Sequence, residues 1–433
     1  MKFDSRGLAV STESDGAIHA IDHYAHELLS LGTAAAAVQA AADANPGCAM
    51  LQACCASTFL YSQTTAGARK AAPYLDRAES RLGELTEREQ VFIKAVKAGC
   101  AGDFEGALTR YEQIADRWPR DMVAAKLAEF HFFETGLAAR QLEVMRKAAA
   151  ANPDVSHVLA MHAFALELNG EREHADEVAR SALAIDPDTM WAQRCRAHVF
   201  AGQSRIAEGI AAMEQYAPSW QKFSHYTVAH NWFHLATMYL SELRFDAVRS
   251  AYRKYIWGYS PDAVVEQTDA ILLLWYLELA GEKVDAEWRA IAPHIRANAH
   301  DTLFPFLNCI YLYALTRAGE MEEAASALDD MLRHAGKQTG QLAHVWNEVG
   351  VPLARGCAAF AAGDYDRASG LLQPILADVQ CVGGSDEQRG VFAESHLVSL
   401  IRAGHRAEAR AALSEHIARR PETALERRWA ESI

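Results

Sequence analysis

Apolar residues recur at helical spacing along nearly the whole 433-residue chain, interrupted by glycines, prolines and short polar runs. From Ala17 to Gly32 the pattern is that of a helix, with Gly32 as its stop. A second helix runs to about Ala44 and closes at Asn45 to Gly47, and a third covers Cys48 to Gln63. Thr86 with Glu89 three residues later is a capping box that opens the next helical stretch. Residues 1 to about 12 read as a loose lead-in. No stretch reads as a strand, so none is expected.

The breaks are themselves periodic. Gly102/Pro119, Gly136/Pro153 and Gly170/Pro187 are pairs seventeen residues apart, and each pair stands 34 residues after the last. A 34-residue period with a turn glycine and a terminal proline is the mark of the tetratricopeptide repeat, two antiparallel helices per copy. Ala107 and Ala175 stand where the paired helices cross and a small side chain is needed. Later turns fall at Gly202, Leu243 to Asp246, Gly281, Gly319, Gly363 and Gly404. Ala324 and Ala368 follow Gly319 and Gly363 by five residues, and Gly404/Pro421 restores the seventeen-residue spacing. The expected fold is all-α, a right-handed α–α superhelix (solenoid) of helix hairpins forming one domain over residues 1–433. Residues 1–85 would cap it, 86–187 would form three regular repeats, and 188–433 would form degenerate repeats and a C-terminal cap.

Composition narrows the partners. A net charge of −14 argues against nucleic acid, which attracts basic stripes. No apolar run is long enough to span a bilayer, so no membrane is expected. The opening residues lack the apolar core of a signal peptide. Eight cysteines without a C-x-x-C pair indicate neither a disulfide scaffold nor a metal knuckle, which points to the reducing cytoplasm. No cofactor and no metal site is expected.

In such repeats the first helix lines a concave groove. Counting from the turn glycine puts Val123, Lys126, Phe130 and Phe133 inward, then His157, Ala160, Phe164 and Glu167, then Trp191, Arg194, His198 and Ala201. Lys126, Phe130, Phe133, Phe164, Trp191 and Arg194 are the candidate ligand-binding residues: aromatic walls with cationic ends suit a ligand with an apolar body and a polar end. His230 and His234 are one helical turn apart; the pair suits hydrogen bonding in a core or groove, while zinc would need a third ligand. No glutamate fills the H-E-x-x-H position, which excludes that metalloprotease class. Asp269 lies on an otherwise apolar helix and needs a partner, Arg194 or a histidine. His198, His230, His234 and Asp269 are therefore the candidate catalytic residues if they converge. His19, His23 and His26 share one face of the first helix, read first as a solvated polar face. Ser385 with Gln388 is a capping box; the glycines before it, with Arg389, could instead hold an anion.

From about His157 onward several stretches, among them "AHNWFHLATMYLSELRFDAVRSAYRKYI", "TDAILLLWYLELAGE" and "GDYDRASGLLQPILADVQCVGGSDEQRGVF", resemble the tetratricopeptide repeat protein 38 family. The resemblance implies an all-helical repeat fold, a soluble protein and polar residues clustered on the inner helices, but no particular reaction. Arg194 stands where relatives often have histidine, Asn308 and Ile310 where aspartate and histidine are common, and Gly390 where aspartate is usual. The first functional expectation is a protein that binds a partner peptide, protein helix or ligand in its groove. The alternative is an enzyme or small-molecule-binding protein with a His/Asp/Arg cluster in an enclosed pocket. Self-association through the aromatic-rich middle region is a third reading.

Overall fold

The computed structural model describes residues 1–419 and 422–433. Pro421 lies outside the described residues, and with it the far half of the Gly404/Pro421 spacing. The fold is all-α, built from tetratricopeptide-like helix hairpins, apart from a two-stranded antiparallel ribbon that pairs Lys2–Phe3 with Ala9–Val10. That ribbon corrects the expectation of a loose, strand-free lead-in. Two residues per strand are too few for alternation to register in sequence. Among the described residues no helix is long and apolar enough to cross a membrane.

The chain divides into two compact units: Met1–Arg196 with Ser219–Thr227, and Ala197–Pro218 with Val228–Ile433. The first unit begins with α1 (Asp15–Ser30), α2 (Ala37–Ala44), α3 (Ala49–Thr58) and α4 (Thr65–Glu79). The regular hairpins come next as α5/α6 (Glu87–Cys100, Phe104–Arg117), α7/α8 (Met122–Thr135, Ala138–Ala151) and α9/α10 (Ser156–Leu168, Arg172–Ile185). Neighbouring hairpins are clipped together at a repeating offset one residue short of the 34-residue period. Arg88 pairs with Asp121, Asn152 Nδ2 donates to the Pro119 carbonyl, and Thr189 Oγ1 donates to Ser156 Oγ, each across 33 residues. Gly136 closes α7 at φ 68°, a conformation that costs glycine little. Ala107 and Ala175 are fully buried at the crossings, where a larger side chain would push the helices apart. The Thr86/Glu89 capping box is formed.

Helix α11 (Met190–Gly202) runs from the first unit into the second, which continues with α12 (Ile206–Trp220), α13 (His225–Ser241) and α14 (Phe245–Ala251). Beyond these come α15/α16 (Val264–Leu279, Asp285–Ala299), α17/α18 (Pro305–Ala318, Met321–Ala335) and α19 (Gly340–Ala343). The chain closes with α20/α21 (Val351–Ala361, Tyr365–Leu372), α22/α23 (Asp386–Ala403, Arg406–Arg419) and α24 (Ala424–Glu431). Wider π-helical turns occupy Tyr252–Ile256 and His344–Gly350, and each inserted residue shifts the phase of the helix beyond it. The core of this unit is aromatic: Trp275 stacks on Tyr313 at 3.5 Å, and Trp288 meets the same ring edge-on. Every residue of α15 but Val265 is buried, which gives Asp269 no water to face.

Candidate functional site

Four helices of the second unit bring five ionisable side chains into one line. His198 comes from α11, His230 and His234 from α13, Asp269 from α15 and Glu387 from the first turn of α22. Both carboxylate oxygens of Asp269 lie against His230 Nδ1, at 3.0 and 3.1 Å. His230 Nε2 is 3.1 Å from His234 Nε2, which is 3.3 Å from His198 Nε2. At the far end His198 Nδ1 stands 2.6 Å from Glu387 Oε2. The three imidazoles and Asp269 are buried, and Glu387 is nearly so.

A carboxylate accepts hydrogen bonds, so His230 Nδ1 carries the proton that faces Asp269, and in the neutral ring its Nε2 holds the lone pair turned toward His234. The Glu387 carboxylate stands against His198 Nδ1 as a charge contact, close but without hydrogen-bond alignment. Imidazoles in contact with one another and with carboxylates are the side chains suited to holding and passing a proton.

Helix α15 organises both ends. Asp269 holds one directly, and Tyr276, two turns further on, donates its hydroxyl to the Glu387 carbonyl. Gly390 makes room for that contact, since a Cβ there would lie 2.9 Å from the Tyr276 hydroxyl. Ser385 caps α22 with Gln388 in a complete capping box, fixing the turn that carries Glu387. Arg389 is spent on the Gly384 carbonyl and Asp386, so the capping reading accounts for this loop. On α13, Asn231 lies one residue from His230 and three from His234. It is buried with neither amide atom hydrogen-bonded among the described residues.

The structure thus brings together His198, His230, His234 and Asp269, and the partner of Asp269 is His230 rather than Arg194. Sequence reading missed Glu387 and Tyr276. The only signal was the acidic start of the "GGSDEQRG" helix, whose pattern points to a cap and to nothing beyond it.

The ligand-binding candidates lie in the first unit. Trp191 anchors to the Leu29 carbonyl through its indole N–H at 3.1 Å. Lys126 Nζ lies 4.4 Å from the Trp191 ring centre and pairs with Glu129 at 2.5 Å. Arg194 stacks 4.1 Å from the Phe164 ring centre and 5.2 Å from Trp191. Phe133 packs against Phe164 at 6.0 Å, whereas Phe130 turns to Tyr61 at 4.7 Å. Lys126, Phe164, Trp191 and Arg194 are buried, and Phe130 and Phe133 are half-buried. Nearby His157 is held down to about 4 by burial. His19, His23 and His26 are exposed along α1, in keeping with a solvated face.

No family model matches the chain. Among solved structures it is similar to the human IFIT1 dimer with m7Gppp-AAAA, at 13% identity and a TM-score of 0.47 over 99% of this chain and 96% of that one. A monomeric IFIT1 mutant with Gppp-AAAA gives 13% and 0.46 over 99% and 96%. The human IFIT1 dimer with PPP-AAAA gives 12% and 0.40 over 97% and 89%. Likeness of this degree assigns neither a site nor a function. It does correct one expectation: the neighbours hold capped or triphosphate-bearing oligonucleotides, so the exclusion of nucleic acid drawn from charge does not stand. Net charge sums over a whole surface, whereas binding answers to the local field of a cleft.

Proposed function

We propose that the protein is a helical-repeat scaffold that binds a small molecule in its second unit and acts on it by general acid–base catalysis. The resemblance to the tetratricopeptide repeat protein 38 family agrees with polar residues gathered on inner helices, though it names no reaction. One observation carries the reading: the buried line Asp269–His230–His234–His198–Glu387. Five ionisable groups removed from water cost more stability than a peptide-binding scaffold has reason to give up, and such groups concentrate where protons are moved. His234, at the centre, is the proton-exchanging group. Asp269 fixes the tautomer of His230, Glu387 sets its charge against His198, and Tyr276 positions Glu387.

The test is untargeted. The full chain is incubated with a small-molecule extract, and compounds consumed or formed are followed by mass spectrometry beside His234→Gln and Asp269→Asn. Conversion by the wild type should fall by ~100-fold or more in both variants, the range expected when an acid–base group or its orienting carboxylate is lost. Helicity should be unchanged. Full turnover by folded His234→Gln would sink the proposal.

A second reading, capture of a peptide, a protein helix or another ligand by the first unit, is favoured by the clustering of Lys126, Phe164, Trp191 and Arg194. Binding that survives loss of His234 but not of Trp191 would favour it.

A further inference from the structure

Arg194 differs from the other buried arginines described. Arg88 is answered by Asp121 at 2.5 Å and by the Ala9 carbonyl at 2.9 Å. Arg389 is answered by Asp386 and by the Gly384 carbonyl. The Arg194 guanidinium is as deeply placed, at 6% exposure, yet among the described residues nothing accepts a hydrogen bond from it and no carboxylate lies within ion-pair distance. Its contacts are the faces of Phe164 and Trp191. Lys126, which also lies over the Trp191 ring, is matched by Glu129.

A buried cation held only by ring faces is poorly compensated: the rings return part of the lost hydration and supply no acceptor for five N–H donors. The site is nonetheless rigid. Trp191 is tied to the Leu29 carbonyl, Phe164 is braced by Phe133, and the guanidinium carbon sits 4.1 Å from the Phe164 ring centre. Of the guanidinium nitrogens only Nε is sealed from solvent without a partner, which leaves the forked Nη end at the accessible edge. A planar fork held by aromatic stacking, with its donors open, is preorganised for two parallel hydrogen bonds to an oxyanion.

We propose that Arg194 is the receptor for the acidic group of a ligand. That group is a carboxylate or phosphate carried on an apolar or aromatic body, which packs on Phe164 and Phe133. The site belongs to the first unit alone, so it stands or falls independently of the histidine line.

The experiment uses the full chain and two probes, benzoate and inorganic phosphate, each read by thermal unfolding and titration calorimetry against chloride at matched ionic strength. At least one probe should raise the melting temperature of the wild type saturably. Response to benzoate alone identifies a carboxylate ligand, and response to phosphate alone a phosphorylated one. Arg194→Met should weaken that binding at least ~10-fold while leaving the ligand-free melting temperature unchanged or higher, because the variant removes an unpaired buried charge. Arg194→Lys, which keeps the charge without the fork, should bind at intermediate strength. The proposal is overturned if neither probe acts saturably on the wild type, or if Arg194→Met keeps the full response. It is also overturned if ligand-free Arg194→Met melts well below the wild type, since the guanidinium would then be a packing element.

Discussion

Glu134→Gln is expected to stabilise the protein, by an amount that grows with pH. Glu134 sits in the last turn of α7, 7% exposed, and its Oε1 accepts a hydrogen bond from Gln63 Nε2 at 2.5 Å. Burial pushes its carboxyl from the ordinary 4.5 up to about 8, and the single amide donor offsets little of that. Between those two values the folded state holds a proton that the unfolded chain releases. Stability from this group is therefore full below the unfolded value and is lost as pH rises through the window. Near neutral pH the loss is about 3 kcal/mol. Glutamine keeps an acceptor for Gln63, fills the same volume and has no proton to lose. The variant should thus match the wild type near pH 4 and exceed it by about 3 kcal/mol near pH 7. Urea unfolding of both proteins across that range gives the difference directly, and other titrating groups cancel in it. A difference that stays constant with pH, or a variant weaker than the wild type near pH 8, would refute the reasoning.

His131 should shape the acid side in the opposite sense. It is fully buried with both ring nitrogens unpartnered among the described residues, and burial lowers it to about 3. The unfolded chain takes up the proton first, so stability is lost as pH falls below about 6.5. His131→Leu should restore about 2 kcal/mol near pH 5 in urea unfolding, and an unchanged acid limb would contradict this. Asp121 serves two roles, capping α7 through Ala124 N–H at 3.0 Å and pairing with buried Arg88. Asp121→Ala should cost about 3–5 kcal/mol by chemical denaturation, and adding Arg88→Met should recover most of it. A loss below ~1 kcal/mol would mean the pair is not buried. Gly390→Ala puts a Cβ 2.9 Å from the Tyr276 hydroxyl, so it and Tyr276→Phe should slow the proposed reaction to similar extents with helicity intact. Unaltered turnover in both would remove Tyr276 from the positioning of Glu387.

How far a signal reaches along the chain decides whether the sequence reveals it. The 34-residue period was readable because its causes are local: a turn glycine, a small residue at the crossing, a proline between hairpins. Asp269 was readable as an anomaly, a lone acid among the apolar residues of α15 that physical chemistry obliges to find a partner. That obligation pointed to Arg194 or a histidine, and His230 meets it. Glu387 carried no such mark. It lies in the first turn of a capped helix, where an acidic residue is ordinary because it faces the positive end of the helix dipole. Its role depends on a contact with His198, 189 positions earlier, and no periodicity encodes a contact of that range. The groove rule failed differently. Counting positions placed Arg194 and His198 on the inner face, and the inference from inner face to solvent exposure did not hold, since both are buried. For Arg194 that burial sharpens the case for function: an exposed arginine needs no explanation, whereas one enclosed between two aromatic rings with no acceptor does.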